Sequence, residues 1–339
     1  MNPPPTAAPR RPWRRLRRLA IALLLLFFIA FNALAYTHAW AITHYAPVDS
    51  RTTRLREINT WADKARLIVL GPTIRRMANK ITPAEFHLPF ETVTLRGGRG
   101  ARLDAWRIAG QFGRPIVLMF PGYGGSKDTL LRAAVEFHSA GCETWLVDFA
   151  GIGDSEGSTS TLGWREAEDV AAVAHAVRER SSGPLVFYGT SMGATAILCA
   201  SQRGLIAPDA AILECPFDRL TTTLGNRLKL LGVPETPLAQ GIAFWIGVQH
   251  GFNGLAHNPV EYARSVRCPV LLMQGDGDQL VGLPAAYAMA ASFGNRATFQ
   301  VFPNCGHAFL VRDAEVEWRA NVRRFLNDKV PQKSLQAGR

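Results

Sequence analysis

Cysteine is scarce and scattered: five residues in 339, Cys142, Cys199, Cys215, Cys268 and Cys305. None falls in a Cys-x-x-Cys pair or a Cys/His grouping with ligand spacing, which excludes a zinc module and a disulfide framework. The isolated cysteines read as small buried apolar side chains. Charge is also sparse, at 19% of residues against 47% hydrophobic, so the chain has material for a core and is not a disordered segment. Acidic residues are the scarcer sign, 27 against 38 Lys and Arg, leaving a net charge of +11. That excess is not a nucleic-acid footprint, because no recognition motif or aromatic platform accompanies it. Six arginines (Arg10, Arg11, Arg14, Arg15, Arg17 and Arg18) crowd into a Pro- and Arg-rich tail, 1–18. Internal repeats are absent, and a second polar tail occupies 329–339.

One long apolar run stands out. Residues 19–35, LAIALLLLFFIAFNALA, carry no charge and one polar side chain, Asn32, and 36–42 continue without Lys, Arg, Asp or Glu. About 20 helical residues cross a hydrocarbon core, so 19–42 is expected to be a transmembrane anchor. Trp13 on one side and Tyr36 and Trp40 on the other are placed as interfacial aromatics. The arginines hold the tail in the cytoplasm and send the rest of the chain across the membrane, to the periplasm in a Gram-negative bacterium. The alternative is a secretory leader cleaved near Ala35, since Ala33-Leu34-Ala35 fits a cleavage site. The run exceeds the roughly 7 to 15 residues of a leader's core, which favours the anchor.

Residues 43–88 mix basic positions (Arg51, Arg54, Arg56, Lys64, Arg66, Arg75, Arg76, Lys80) with apolar ones (Leu55, Ile58, Trp61, Leu67, Ile68, Ile74, Met77). That pattern predicts one or two amphipathic helices broken near Gly71-Pro72 and packed on the domain that follows. A basic helix lying on the membrane is the alternative. From 89 to 328 the texture changes to short β-rich runs at 91–95, 102–108, 115–120, 143–148, 185–188, 210–214, 270–274 and 298–302. The first two are close enough to form a hairpin; the later ones alternate with helical runs such as 129–139 and 164–180. IVLMF and VLLMQ are apolar almost throughout, as central strands covered on both faces should be. One α/β domain follows, with a mostly parallel sheet, helices on both faces and a helical insertion at 216–266.

The chemistry centres on Gly189-Thr190-Ser191-Met192-Gly193, preceded by the strand Leu185-Val186-Phe187-Tyr188 and followed by a helical run. Strand, Gly-x-Ser-x-Gly, helix is the context of a nucleophile elbow, where bulky residues two positions either side of the serine would clash. A serine hydroxyl needs a base, and the base a carboxylate to hold its tautomer. The strand 270–274 runs into a loop with Asp276 and Asp278, and the strand 298–302 runs into a loop with His307. Each group lies just past the C-terminal end of a strand, the edge where open α/β sheets bind ligands.

On these residues the chain from about 90 to 328 resembles an α/β-hydrolase, particularly the serine hydrolases with a small cap. The matching pieces are Pro121 through Ser126 (PGYGGS), Asp148 through Gly157 (DFAGIGDSEG), Gly189 through Gly193, Gly275 through Val281, and Gly306-His307. The resemblance implies the α/β-hydrolase fold, with 216–266 as the cap. It selects Asp278 over Asp276 as the acid beside Ser191 and His307; Glu214, at another strand end, is a weaker stand-in. It also implies an oxyanion hole from the backbone amides of Met192 and Tyr123. Pro121 departs from the family pattern, where many relatives carry histidine.

The implied reaction is hydrolysis of a small-molecule ester through an acyl-enzyme, with no metal or organic cofactor. Leu228, Leu230, Leu231, Phe244, Trp245, Ile246 and Phe252 in the insertion suggest an apolar acyl or alcohol moiety, although most are expected to pack the cap. A thioesterase, amidase, peptidase or acyltransferase would use the same residues. A membrane-anchored binding module is the non-enzymatic alternative. Among the other histidines, His38 and His44 lie near the membrane and His138 and His175 in helical runs; His250 and His257, in the insertion, are the ones placed to touch substrate.

Overall fold

The computed structural model describes residues 12–53, 60–307 and 309–330. Arg10, Arg11, Arg54, Leu55, Arg56, Ile58 and the tail 331–339 lie outside the described residues. Eight strands form one sheet: β1 (Glu91–Arg96), β2 (Arg102–Ile108), β3 (Ile116–Phe120), β4 (Glu143–Val147), β5 (Leu185–Thr190), β6 (Ala210–Glu214), β7 (Val270–Gly275) and β8 (Ala297–Phe302). Their order is β1-β2-β4-β3-β5-β6-β7-β8, with β2 antiparallel to both its neighbours and the rest parallel. This is the mostly parallel sheet with an antiparallel start that the pattern predicts, in the α/β-hydrolase fold that the resemblance implies.

Period-two alternation divides the strand side chains between two layers. Ile116, Leu118, Phe120, Leu185 and Phe187 face one; Val117, Met119, Val186 and Tyr188 face the other. Of the helices, α1 (Pro12–Thr43) and α2 (Trp61–Leu70) precede the sheet. Next come α3 (Leu131–Ser139), α4 (Glu166–Arg178) and α5 (Met192–Gln202). Helices α6 (Leu220–Leu230), α7 (Leu238–His250) and α8 (Pro259–Tyr262) lie between β6 and β7, and α9 (Leu283–Phe293), α10 (Leu310–Asp313) and α11 (Glu315–Lys329) complete the chain. The first layer is closed by α4, α5 and α9 through Val170, Val173, Ile197 and Phe293, the second by α3 and α11 through Phe137, Trp318 and Phe325.

The 32-residue α1 has two characters. Its first half stands clear of the domain, with Leu24 and Phe27 exposed by 68% and 69%. By length and apolarity it is a candidate membrane anchor or leader. Its last turns, however, belong to the folded body. Ala35 and Ala39 are fully buried, Tyr36 packs edge-on against Trp245, and Trp245 Nε1 donates to Asn32 Oδ1 at 3.2 Å. Gly241 on α7 permits this approach, since a Cβ there would lie 2.9 Å from the Phe31 ring. The last turns of the expected span 19–42 dock on α7, because small side chains on both helices let them meet. The chain then stays on the domain, Tyr45 N–H donating to Ser158 O and Ala46 pairing with Arg75.

Among the described residues the amphipathic segment forms one helix, α2, which ends at the expected Gly71-Pro72 break. Thr60 and Asp63 make a capping box at the start of α2, and Gly71, at φ 75°, ends it before Pro72. Beyond it, apart from a short 3₁₀ turn at Pro83–Phe86, the chain is an extended strap. Arg76 N–H donates to Ala46 O, and its guanidinium donates to the carbonyls of Gly153, Ser155 and Gly157. Ile74, Arg75, Arg76, Met77 and Lys80 belong to that strap, held by bonds to distant loops in place of helical ones.

Candidate active site

Ser191 sits between β5 and α5 at φ 49°, ψ −109°, a conformation costly for a non-glycine residue and stored where the surroundings dictate it. The flanking glycines are steric necessities. A Cβ on Gly193 would come within 2.3 Å of Phe120 O, and one on Gly189 within 2.5 Å of Ala194 N. The turn is held from the next strand, Ser191 N–H donating to Glu214 O at 2.7 Å.

The loops after β7 and β8 bring the other two groups to it. His307 Nε2 lies 2.8 Å from Ser191 Oγ, and His307 Nδ1 lies 2.7 Å from Asp278 Oδ2. Asp278 is buried and anchored on both oxygens. Oδ1 accepts from the amides of Leu280 and Val281 at 2.8 and 2.9 Å, and Oδ2 accepts from Gln274 Nε2 at 2.8 Å. Burial acts most strongly and raises its pKa, but His307 and these donors together hold it below the ordinary carboxylate range. Asp276 is exposed and turned to solvent. Glu214 is fully buried on the far layer, its carboxylate accepting from Tyr188 Oη and Trp318 Nε1 away from His307; burial pushes its pKa up to about 7.

Met192 is the first residue of α5, so its N–H has no acceptor within the helix. The loop after β3 passes beside the serine: a Cβ on Gly122 would lie in contact with Ser191 Cβ at 3.4 Å. Tyr123, next in that loop, lines the same cavity as Ser191 and Met192. Its side chain was not anticipated as a tether. The phenol donates to Ile42 O at the end of α1, and its ring packs 5.8 Å from that of Tyr45.

The cavity over Ser191 measures about 200 Å³ and is mostly apolar. Of the insertion's apolar residues, Leu228, Leu230 and Leu231 line it. Phe252 stacks on Trp164 with centroids 5.1 Å apart, Ile246 is core, and Trp245 packs on α1. Neither His250 nor His257 lines it. His257 is wedged between Leu162 O and Tyr262 Oη, and burial lowers its pKa to about 4. Sequence reasoning missed Arg227, a half-buried cation on the cavity wall, stacked 5.6 Å from the Tyr123 ring and in no ion pair among the described residues. It also missed Gln274, whose only signal was a polar residue ending an apolar strand.

Two groups of side chains have ligand-like spacing among the described residues. Asp104, Asp148 and Asp154 surround the buried Lys127 ammonium at 2.8, 2.6 and 2.9 Å, so a cation of the chain already fills the space between the three carboxylates and ties Asp154 to the end of β4. Asp278 and His307, grouped with Cys215, are engaged with each other and with Ser191.

Residues 116–319 match the model of the alpha/beta hydrolase family. An uncharacterised protein of Mycobacterium tuberculosis is 28% identical over 283 residues, covering 79% of this chain and 89% of that protein. A zebrafish (Danio rerio) protein named as a lysophosphatidylserine lipase is 27% identical over 184 residues, 50% of this chain and 45% of that one. Among solved structures, an esterase of Pyrococcus furiosus superimposes with a TM-score of 0.63 at 18% identity, covering 76% of this chain and 97% of that chain; this is a likeness of fold.

Proposed function

The chain belongs to the alpha/beta hydrolase family, and from that premise we propose that it is a serine hydrolase that cleaves carboxylic esters through Ser191, His307 and Asp278. The observation that carries this reading is the continuous relay from a strained serine to His307 at 2.8 Å and on to Asp278 at 2.7 Å. His307 Nε2 takes the Ser191 proton as Oγ attacks the carbonyl, and returns it to the departing alcohol. Asp278 keeps Nδ1 protonated and stabilises the imidazolium. The amides of Met192 and Tyr123 receive the developing oxyanion, a contribution worth roughly 10²- to 10³-fold per donor. Water, activated by the same histidine, then releases the acid.

The relatives named as a lipase and an esterase favour ester chemistry, and the apolar wall of Leu228 and Leu231 suits a partly apolar substrate. The helices within 216–266 serve as the cap. We place α1 in a membrane with the arginine-rich end cytoplasmic and the hydrolase domain on the other side, because Arg14, Arg15, Arg17 and Arg18 directly abut one end of the apolar run while the other end has no Lys or Arg before Arg51.

Fluorophosphonate labelling of the full-length protein in detergent tests the reading. The parent should label, Ser191→Ala should abolish labelling and His307→Ala should strongly reduce it. A folded parent that does not label would overturn the reading in favour of a binding module. Matched ester, thioester and amide substrates then separate the esterase from its rivals.

A further inference from the structure

The Ser191 cavity is too small to hold a sizeable ligand alone, at about 200 Å³ against the roughly 300–1,000 Å³ of ordinary ligand pockets. It does not end at the cap. His38, Leu228, Leu230 and Leu231 line both it and a second cavity of about 400 Å³, so the two lie side by side against the same four side chains. The outer cavity is closed by Leu34 of α1, by Lys64, Leu67 and Ile68 of α2, and by Leu238 at the start of α7. His38 Nε2 bonds to Ile68 O at 2.8 Å and ties α1 to α2 along one wall.

The position of the outer cavity is informative. It lies where α1 leaves the domain, lined by Leu34 and His38 just after the exposed apolar half ends. The surrounding elements are also unusually greasy on their outsides: α2 exposes Trp61, Ile68, Val69 and Leu70, α6 exposes Leu230, and α7 exposes Phe244 and Val248. Apolar side chains clustered around a polar-rimmed mouth mark a surface covered by something apolar. The Lys64 ammonium lies 5.2 Å from the centre of the Trp61 ring, an aromatic and cation pairing suited to the headgroup level of a bilayer. The adjoining α1 supplies the identity of the cover, since its free half is a candidate membrane helix.

We propose that the conduit between α1, α2 and α6 admits one acyl chain of a bilayer-resident ester, which passes sideways from the membrane and sets its carbonyl at Ser191. The substrate class is therefore a long-chain acyl ester dissolved in the membrane rather than a water-borne one. This rests on the ester-hydrolase reading of Ser191. At the inner end Arg227 faces the bound ester as a cation, so an anionic group near the scissile bond would be accommodated there.

The test uses the full-length protein in phosphatidylcholine vesicles with two esters of 4-methylumbelliferone, a membrane-dissolved oleate and a water-soluble acetate. Ile68→Asp places a charge at the mouth and Leu238→Trp narrows it; neither residue lines the Ser191 cavity. Each change should lower oleate hydrolysis by about tenfold or more, the scale of a lost apolar pocket contact, and leave acetate hydrolysis within about twofold. Equal loss on both esters, or undiminished oleate hydrolysis, would overturn the conduit. A readout independent of catalysis keeps the two readings apart: an oleoyl ester carrying a chain diazirine, in the same vesicles with Ser191→Ala. Crosslinks should map to peptides containing Leu228 to Leu231 and Lys64 to Ile68. Crosslinking elsewhere would sink the conduit even in an active hydrolase, while crosslinking there in a protein that hydrolyses neither ester would sink only the hydrolase reading.

Discussion

The Tyr123 hydroxyl donates to the carbonyl of Ile42, so the loop proposed to supply an oxyanion amide is tied to the last turn of the apolar helix α1. Hydrogen bonds of this kind contribute about 1 kcal/mol net, enough to hold a loop in one of two nearby positions.

Tyr123→Phe removes the bond and keeps the ring against Tyr45 and Arg227. The expected result is a fall in kcat of up to about tenfold, because an amide displaced from the oxyanion loses transition-state stabilisation selectively. Steady-state kinetics on a soluble ester reads it. An unchanged kcat would mean that Gly122 and the end of β3 position the amide without help from α1.

The assignment of the acid is open to a paired substitution. Asp278→Asn should lower kcat by about 10⁴-fold, the effect of presenting the wrong tautomer to the nucleophile. Asp276→Asn should stay within the narrow range of a surface change, because that side chain is exposed and His307 bonds to its neighbour instead. Comparable losses from both would place the acid elsewhere.

These residues differ in how visible they were. The elbow could be read because its geometry is local: a glycine on each side of Ser191 and a strand before it are contiguous in the chain. The central strands were legible for a similar reason, being short apolar runs such as 116–120 and 270–275 whose burial on both faces shows in composition alone. What stayed hidden is pairwise and distant. Ala35, Ala39 and Gly241 are unremarkable small residues until α1 and α7 meet. Residues 74–80 alternate like a helix face, and only the carbonyls of Ala46, Gly153 and Gly157 reveal that their partners lie elsewhere. Arg227 looked like one more basic residue, because nothing near it in sequence says that it faces the cavity.

Buried Glu214 should leave a mark on the pH dependence of stability. Burial raises its pKa to about 7 in the folded protein, from about 4.5 in an unfolded chain. A carboxyl raised in this way stabilises the fold below its unfolded pKa, and that stability is lost as pH rises through the folded value. The span is worth on the order of 3 kcal/mol. Thermal unfolding from pH 5 to 8 should therefore show declining stability, with part of the slope removed in Glu214→Gln. Asp169, also raised to about 7 by burial, supplies another share. An identical slope in parent and Glu214→Gln would show that the carboxyl titrates normally.

Whether α1 remains on the mature protein follows from its packing. Cleavage after Ala35 would remove Phe31, Asn32 and Ala35 from α7, break the bond from Trp245 to Asn32, and uncover the face around Gly241. A leader has no reason to be matched so closely to the domain it leaves, so protein purified from membranes is expected to retain α1, residues 12–35 included. Intact-mass spectrometry reads this directly, and a mature chain starting at Tyr36 would make α1 a leader. Gly241→Leu offers a second readout, because its side chain must displace Phe31 or Ala35. Overpacking of this kind costs about 1–3 kcal/mol. The unfolding temperature should fall while fluorophosphonate labelling of Ser191 persists below it; an unaffected unfolding temperature would mean that α1 and α7 are not held together in solution.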